Sequence, residues 1–395
     1  MTPRRRWMRA AAATALRRKR WRELARNLNV LTGRLWGEDT MTWVSAEFRS
    51  LSLDRISNCV AVHVRALFLV LALLVAGTSA QADPQRFRAG IARITVQDVV
   101  PFDTLIAYPT DATEVPFQAG PFTIVASRDA PIASGARFPI LFSHGGGGTI
   151  KAGGSSLPYA ALVTSLAREG FVVVAPFHPG SKRPREALED RPRQIHKALN
   201  AMLADPRFAT HADPNRLGMM GFSYGGAVAL IVAGATPSLA HLAAYCRDRT
   251  DDPMACDEPG RSLSQPAVPT DGFLANAVGK RSPDALGVNA LILMEPFGAL
   301  FDRDGLTSVD MPTLLYRAGG SDLKADGNII ALAAALPHPP RQETVPGGHF
   351  IFFDPCPPAV AADAPAACKD APDVDRAAVH RRIEAEIGDF LRRNL

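Results

Sequence analysis

The stretch that most constrains this chain is Arg216-Leu-Gly-Met-Met-Gly-Phe-Ser-Tyr-Gly-Gly226. The apolar run Leu217 to Met220 reads as a strand, broken at Gly221. A small-residue segment, Ala227 to Ala235, reads as the helix that follows. Gly221-x-Ser223-x-Gly225 between a strand and a helix is the sequence context of a nucleophile elbow. Its turn is so tight that side chains two positions either side of the serine would collide, and glycine removes the collision. Ser223 is thereby expected above the sheet at a helix N-terminus, where the dipole favours developing negative charge.

The rest of the chain supplies the sheet such an elbow needs. Residues 87–127 hold short β-like runs, including Thr104 to Tyr108 and Phe122 to Ala126, read as leading antiparallel strands. Strands and helices then alternate, the signature of a parallel sheet with crossover helices. The strands are Pro139–Phe142, Phe171–Ala175, Leu217–Met220, Ala290–Met294, Pro312–Tyr316 and a short run toward Val345. The helices are 155–168, a polar-faced 183–203, 328–336 and an amphipathic 374–395. The expected fold class is therefore α/β, with a mostly parallel central sheet and helices on both faces. With 47% hydrophobic and 21% charged residues, residues 83–395 suffice for one domain with a full core. Residues 237–285 break the rhythm. They are rich in Pro, Asp and Ser and contain Cys246 and Cys256, and are read as an insert after the elbow helix that caps the site. A surface excursion without a role in substrate choice is the plainer alternative.

The N-terminus reads as targeting sequence. Ala66 to Ala76 is an uncharged apolar run, short for a bilayer span. Arg65 precedes it, and Ala80-Gln-Ala82 offers a small-x-small cleavage site before Asp83. Residues 59–82 thus read as a secretory signal peptide, with an uncleaved anchor as the alternative. Residues 1–58 read as a non-structural extension or a misassigned start. Residues 1–82 hold 14 of the 44 Lys and Arg and 5 of the 39 Asp and Glu, so residues 83–395 carry 30 basic against 34 acidic side chains. The overall charge of +5 is thus no argument for a nucleic-acid partner. The expected location is periplasmic or secreted, with no stable membrane span in the mature protein. Four cysteines fall in the mature part, and local pairing, Cys246 with Cys256 and Cys356 with Cys368, is the simplest of three connectivities. Neither pair has the C-x-x-C spacing of a metal site.

A serine hydroxyl needs a base, and that base needs an orienting carboxylate, in the chain order serine, acid, histidine. His349, in Pro346-Gly-Gly-His-Phe350 after the last strand, is the candidate base. Two acids satisfy the order. Asp322 follows the penultimate strand and is preferred; Glu295 ends the strand before it. An oxyanion needs two donors. One is expected from the N–H of Tyr224, directly after the nucleophile. The other is expected from the glycine run after Pro139–Phe142, with Gly146 favoured and the register open by one residue. That run lacks the G-K-[ST] of a phosphate loop. No cofactor and no metal is implied.

The elbow Gly-Phe-Ser-Tyr-Gly-Gly, the Phe-Ser-His-Gly loop, the Phe-His-Pro-Gly stretch and Gly-Gly-His-Phe-Ile-Phe-Phe-Asp-Pro-Cys resemble the secreted dienelactone-hydrolase-like branch of the α/β-hydrolases. That branch is related to platelet-activating-factor acetylhydrolases and, more distantly, to cutinases. The resemblance runs from about Ala89 to Leu395. It implies an α/β-hydrolase fold, the triad Ser223, Asp322 and His349, the oxyanion donors Gly146 and Tyr224, and disulfides at both cysteine pairs. It also implies a small-molecule or lipid-like ester substrate and an exported serine esterase. A cutinase-like polyesterase and a non-catalytic binding protein that kept the fold are the alternatives. The family's true dienelactone hydrolases use a cysteine nucleophile, and Ser223 departs from that.

Overall fold

A computed structural model describes residues 87–395 apart from 136, 147–155, 180–183, 248, 250 and 257–280. The expectations for residues 1–58, for the leader 59–82 and for much of the insert lie outside the described residues. The first four strands are β1 (Arg88–Val96), β2 (Phe102–Thr110), β3 (Val115–Ala119) and β4 (Phe122–Arg128). Three central strands follow: β5 (Pro139–Ser143), β6 (Val172–Pro176) and β7 (Leu217–Phe222). They are buried along their whole length, as their unbroken apolar runs require of strands covered on both faces. β8 (Val288–Met294), β9 (Thr313–Ala318) and β10 (Arg341–Val345) complete the sheet. Its order is β10-β9-β8-β7-β5-β6-β2-β1-β4-β3. Every pairing from β10 to β6 is parallel, and β2 joins β6 antiparallel. The architecture is the α/β-hydrolase type read from the sequence.

Because successive strand residues point to opposite faces, the core divides in two. Leu141, Val174, Met219 and Leu293 face one side, against α2 (Pro184–Ala204) and α3 (Tyr224–Val232). Ile140, Phe142, Met220 and Ile292 face the other, against α1 (Ala160–Arg168). The C-terminal helix Arg376–Asn394 closes that second side through Ile383, Ile387 and Phe390. Two expected helices differ at their starts. Leu157–Tyr159 forms a 3₁₀ turn before α1, with Pro158 in its first turn, where a missing N–H is tolerated. The expected 328–336 helix begins as a π-helical turn at Asp326–Ile330 and becomes α-helical at Ala331–Ala335.

Both local disulfides are present, Cys246–Cys256 and Cys356–Cys368. The first staples the described part of the insert, Leu239–Cys246 and Pro253–Cys256. Buried Asp252 between them accepts from Tyr245 Oη (2.8 Å) and Asn328 Nδ2 (3.0 Å). Asn328 in turn accepts from the Ala299 N–H at 3.1 Å. The insert's described part is thus fastened to the loops after β8 and β9. Among the described residues no helix is long and apolar enough to cross a membrane.

Candidate active site

The carboxyl ends of β5, β7, β8 and β10 lead into the segments that carry the candidate residues, the edge where open α/β sheets bind ligands. At the end of β7, Ser223 has φ 54° and ψ −120°, a conformation that L residues adopt only under constraint. The constraint is visible in the hydrogen bonds. The Ser223 N–H donates to Met294 O at 2.9 Å, and its carbonyl accepts from Gly226 and Phe297 at 2.9 and 3.1 Å. A Cβ at Gly221 would lie 2.1 Å from Gly225 O, and one at Gly225 would lie 2.1 Å from Ser143 O. The elbow glycines are therefore needed for close backbone approach.

His349 opens a 3₁₀ turn, His349–Phe352, after β10. Its Nε2 lies 2.9 Å from Ser223 Oγ. Its Nδ1 lies 3.2 Å from Glu295 Oε2. Between a hydroxyl and a carboxylate, the consistent tautomer has Nδ1–H donating to Glu295 and Nε2 accepting from the serine. The preferred acid of the sequence reading is thus not the one brought to the histidine. Asp322 is exposed, whereas Glu295 is fully buried. The physical reason is local. Glu295, directly after β8, takes φ 45°, and its N–H is held by Tyr316 O at 3.1 Å. Its two carboxylate oxygens are then met by the end of β9 and the loop after it: Ala318 N–H at 2.7 Å on Oε1 and Ser321 Oγ at 2.5 Å on Oε2. The strand end and its loop contribute an amide and a hydroxyl to the carboxylate where an acid was expected.

The histidine segment is braced from outside the sheet. Arg376 donates to Phe350 O (2.8 Å), Phe353 O (3.0 Å) and Ala367 O (3.2 Å), and pairs with Asp370. The Cys356–Cys368 bridge closes the following loop. Asp354 accepts from Ala161 N–H at 2.8 Å, at the start of α1. Burial pushes its carboxyl up to about 8. Burial also lowers His380, so burial disfavours the charged form of both side chains, which approach to 3.6 Å.

After β5 the chain turns through His144, Gly145 and Gly146. The Gly145 N–H is directed to Tyr159 Oη at 3.5 Å. A Cβ on Gly146 would lie 3.7 Å from Tyr224 Cβ, so Gly146 runs beside the residue that follows Ser223. Beneath this turn is a buried polar cluster that the sequence reading did not assign. His178 Nδ1–H donates to Gln194 Oε1 (2.7 Å), and its Nε2 accepts from Ser143 Oγ (3.1 Å). The His178 N–H donates to His144 Nε2 (3.2 Å), leaving His144 Nδ1–H to donate to Gly145 O (2.9 Å). Arg191 Nη1 donates to the carbonyls of His144 (3.0 Å) and Gly145 (3.1 Å). Burial, reinforced by the Arg191 cation, pushes His144 down to about 3 and holds His178 well below the usual imidazole range. Both rings are neutral, as their acceptor nitrogens demand. The only sequence signal was a pair of polar residues three apart, Arg191 and Gln194, on one helix face.

No family model matches the sequence, and no curated protein matches it significantly. Solved structures do align with it. A ferulic acid esterase from Streptomyces cinnamoneus aligns with a TM-score of 0.51 at 15% identity, over 80% of this chain and 92% of its own. An esterase from the planctomycete Thermogutta terrifontis aligns at 0.43 and 15% identity, over 79% and 94% of the two chains. A structure from a study of two fungal esterases of Rhizomucor miehei gives 0.43 and 15%, over 80% and 87%. At 15% identity the likeness to the ferulic acid esterase is one of fold.

Proposed function

We propose that this chain is an exported serine hydrolase that cleaves carboxylic esters through an acyl-enzyme, with Ser223, His349 and Glu295 as its triad. The observation that carries the reading is the relay from Ser223 Oγ to His349 Nε2 (2.9 Å) and from His349 Nδ1 to Glu295 (3.2 Å). Ser223 Oγ attacks the ester carbonyl while His349 Nε2 takes its proton. Glu295 keeps the other ring nitrogen protonated and stabilises the imidazolium. The carbonyl's electron pair moves onto its oxygen, which the N–H groups of Gly146 and Tyr224 receive. Collapse expels the alcohol, protonated from His349. Water, activated by the same nitrogen, then releases the acid and regenerates Ser223.

Support for ester substrates comes from the fold shared with the ferulic acid esterase and from the sequence resemblance to the secreted dienelactone-hydrolase-like branch. Two disulfides fit an oxidising compartment. A panel of p-nitrophenyl esters of rising acyl length tests the reading and grades the acyl site. Turnover of the short esters is expected, with a burst of p-nitrophenol equal to the enzyme concentration where deacylation limits. No turnover of any ester, or equal turnover by Ser223→Ala, overturns it.

A further inference from the structure

Arg191 is a cation in an expensive place. It is 5% exposed, and among the described residues no carboxylate pairs with it and its Nε has no hydrogen-bond partner. Burying a charge without a carboxylate partner is unfavourable, and Met or Leu would fill a helix face without that cost. What Arg191 does contact is the turn after β5. Its Nη1 reaches His144 O and Gly145 O, and its guanidinium lies 5.2 Å from the centre of the Tyr224 ring.

The Gly145 carbonyl is the informative contact. It accepts from Arg191 at 3.1 Å and from His144 Nδ1–H at 2.9 Å. That C=O belongs to the same peptide unit as the Gly146 N–H. Donors at the oxygen draw electron density through the amide and make the N–H at its other end more acidic, so hydrogen bonds along the unit reinforce one another. A full positive charge in a dry site exerts this effect more strongly than a neutral donor. The N–H of the preceding residue, Gly145, is meanwhile directed to Tyr159.

We propose that Arg191, acting with His144, positions and polarises the Gly145–Gly146 peptide so that the Gly146 N–H becomes the stronger oxyanion donor. This rests on the serine-hydrolase reading above. His144 contributes as the neutral tautomer whose Nε2 accepts from the His178 N–H and whose Nδ1–H donates to Gly145 O, and burial, reinforced by the neighbouring cation, keeps it neutral. Arg191 is a positioning residue: it touches neither substrate nor serine. Its effect should appear where charge develops on the substrate oxygen, in kcat and not in KM.

The experiment uses the full chain with p-nitrophenyl acetate and an aliphatic trifluoromethyl ketone. The ketone adds Ser223 Oγ to its carbonyl, its π pair becomes the oxyanion, and His349 takes the serine proton. Arg191→Met keeps the stem and removes charge and donors. It is expected to lower kcat by about a hundredfold, at the low end of losing one oxyanion donor outright, with KM little changed. The ketone's Ki should rise by the same factor as kcat/KM falls. Arg191→Lys keeps the charge with poorer geometry and should fall between, and it carries the test if the Met variant does not fold. A merely structural brace would lower the melting temperature without this split. A folded variant of either kind with wild-type kcat and ketone affinity overturns the inference, while Ser223→Ala inactivity would leave the ester-hydrolase reading standing. A wild-type chain that takes neither ester nor ketone overturns both.

Discussion

Replacing Glu295 by Gln is the perturbation whose outcome the structure specifies most fully. A glutamine has one acceptor oxygen where the carboxylate has two. One of the two positions faces the Ala318 N–H at 2.7 Å. Turning the new NH₂ toward it would oppose two donors in a buried site, at about 1–3 kcal/mol. The amide oxygen is therefore expected to stay with Ala318, placing the NH₂ toward Ser321 and His349. Ser321 can adapt, because a hydroxyl can accept as well as donate. His349 can adapt only by moving its proton to Nε2, the nitrogen that must receive the serine proton. The wrong tautomer costs about 10⁴ in kcat in comparable triads, or about 5.5 kcal/mol. Asp322→Asn alters an exposed side chain and should keep kcat within about threefold, as surface changes do. Both variants are compared on one p-nitrophenyl ester, with melting curves as the folding control. Glu295→Gln keeping more than a tenth of the wild-type kcat, or Asp322→Asn losing as much, refutes the assignment.

Two further outcomes concern the support of the histidine segment. Replacing both Cys356 and Cys368 with serine removes a bridge worth about 3 kcal/mol in the chain-entropy account, so the melting temperature should drop. Arg376 would still hold Phe350 O and Phe353 O, so kcat should fall only a few-fold; complete inactivity in a folded variant would show the bridge itself to be required. Asp354 is favoured neutral in the fold, its carboxyl raised by burial to about 8 against about 3.9 when unfolded. That contribution to stability is complete below about pH 4 and is lost as pH climbs through about 8. Asp354→Asn stays neutral throughout, so its melting temperature should gain on the wild type across that window. Parallel melting-temperature profiles would contradict the assignment.

What the sequence disclosed follows from how local each constraint is. Ser223 was legible because strand, glycines and helix are contiguous, and their collisions involve backbone only a few residues away. His349 was legible because it stands after the last strand, where few other histidines compete. Which carboxylate meets the histidine was not, since both Glu295 and Asp322 follow strand ends, and chain order admits either. The choice is made by tertiary contacts: a positive φ at Glu295 and the donors Ala318 and Ser321 arriving from the end of the next strand and its loop. α2 reads as a polar-faced helix, and the sequence assigns that face no partner; Arg191 and Gln194 are buried under the turn after β5, where a carbonyl and an imidazole await them. Nothing in the residues of α2 alone encodes those partners.

The central claim, that Ser223 is an activated nucleophile, is tested most directly by labelling the full chain with a fluorophosphonate and locating the adduct by peptide mass spectrometry. The account predicts one adduct per chain, on Ser223, its formation abolished in Ser223→Ala and in His349→Ala, and strongly slowed in Glu295→Gln. No adduct on folded protein, or an adduct on another residue that persists in Ser223→Ala, would contradict it.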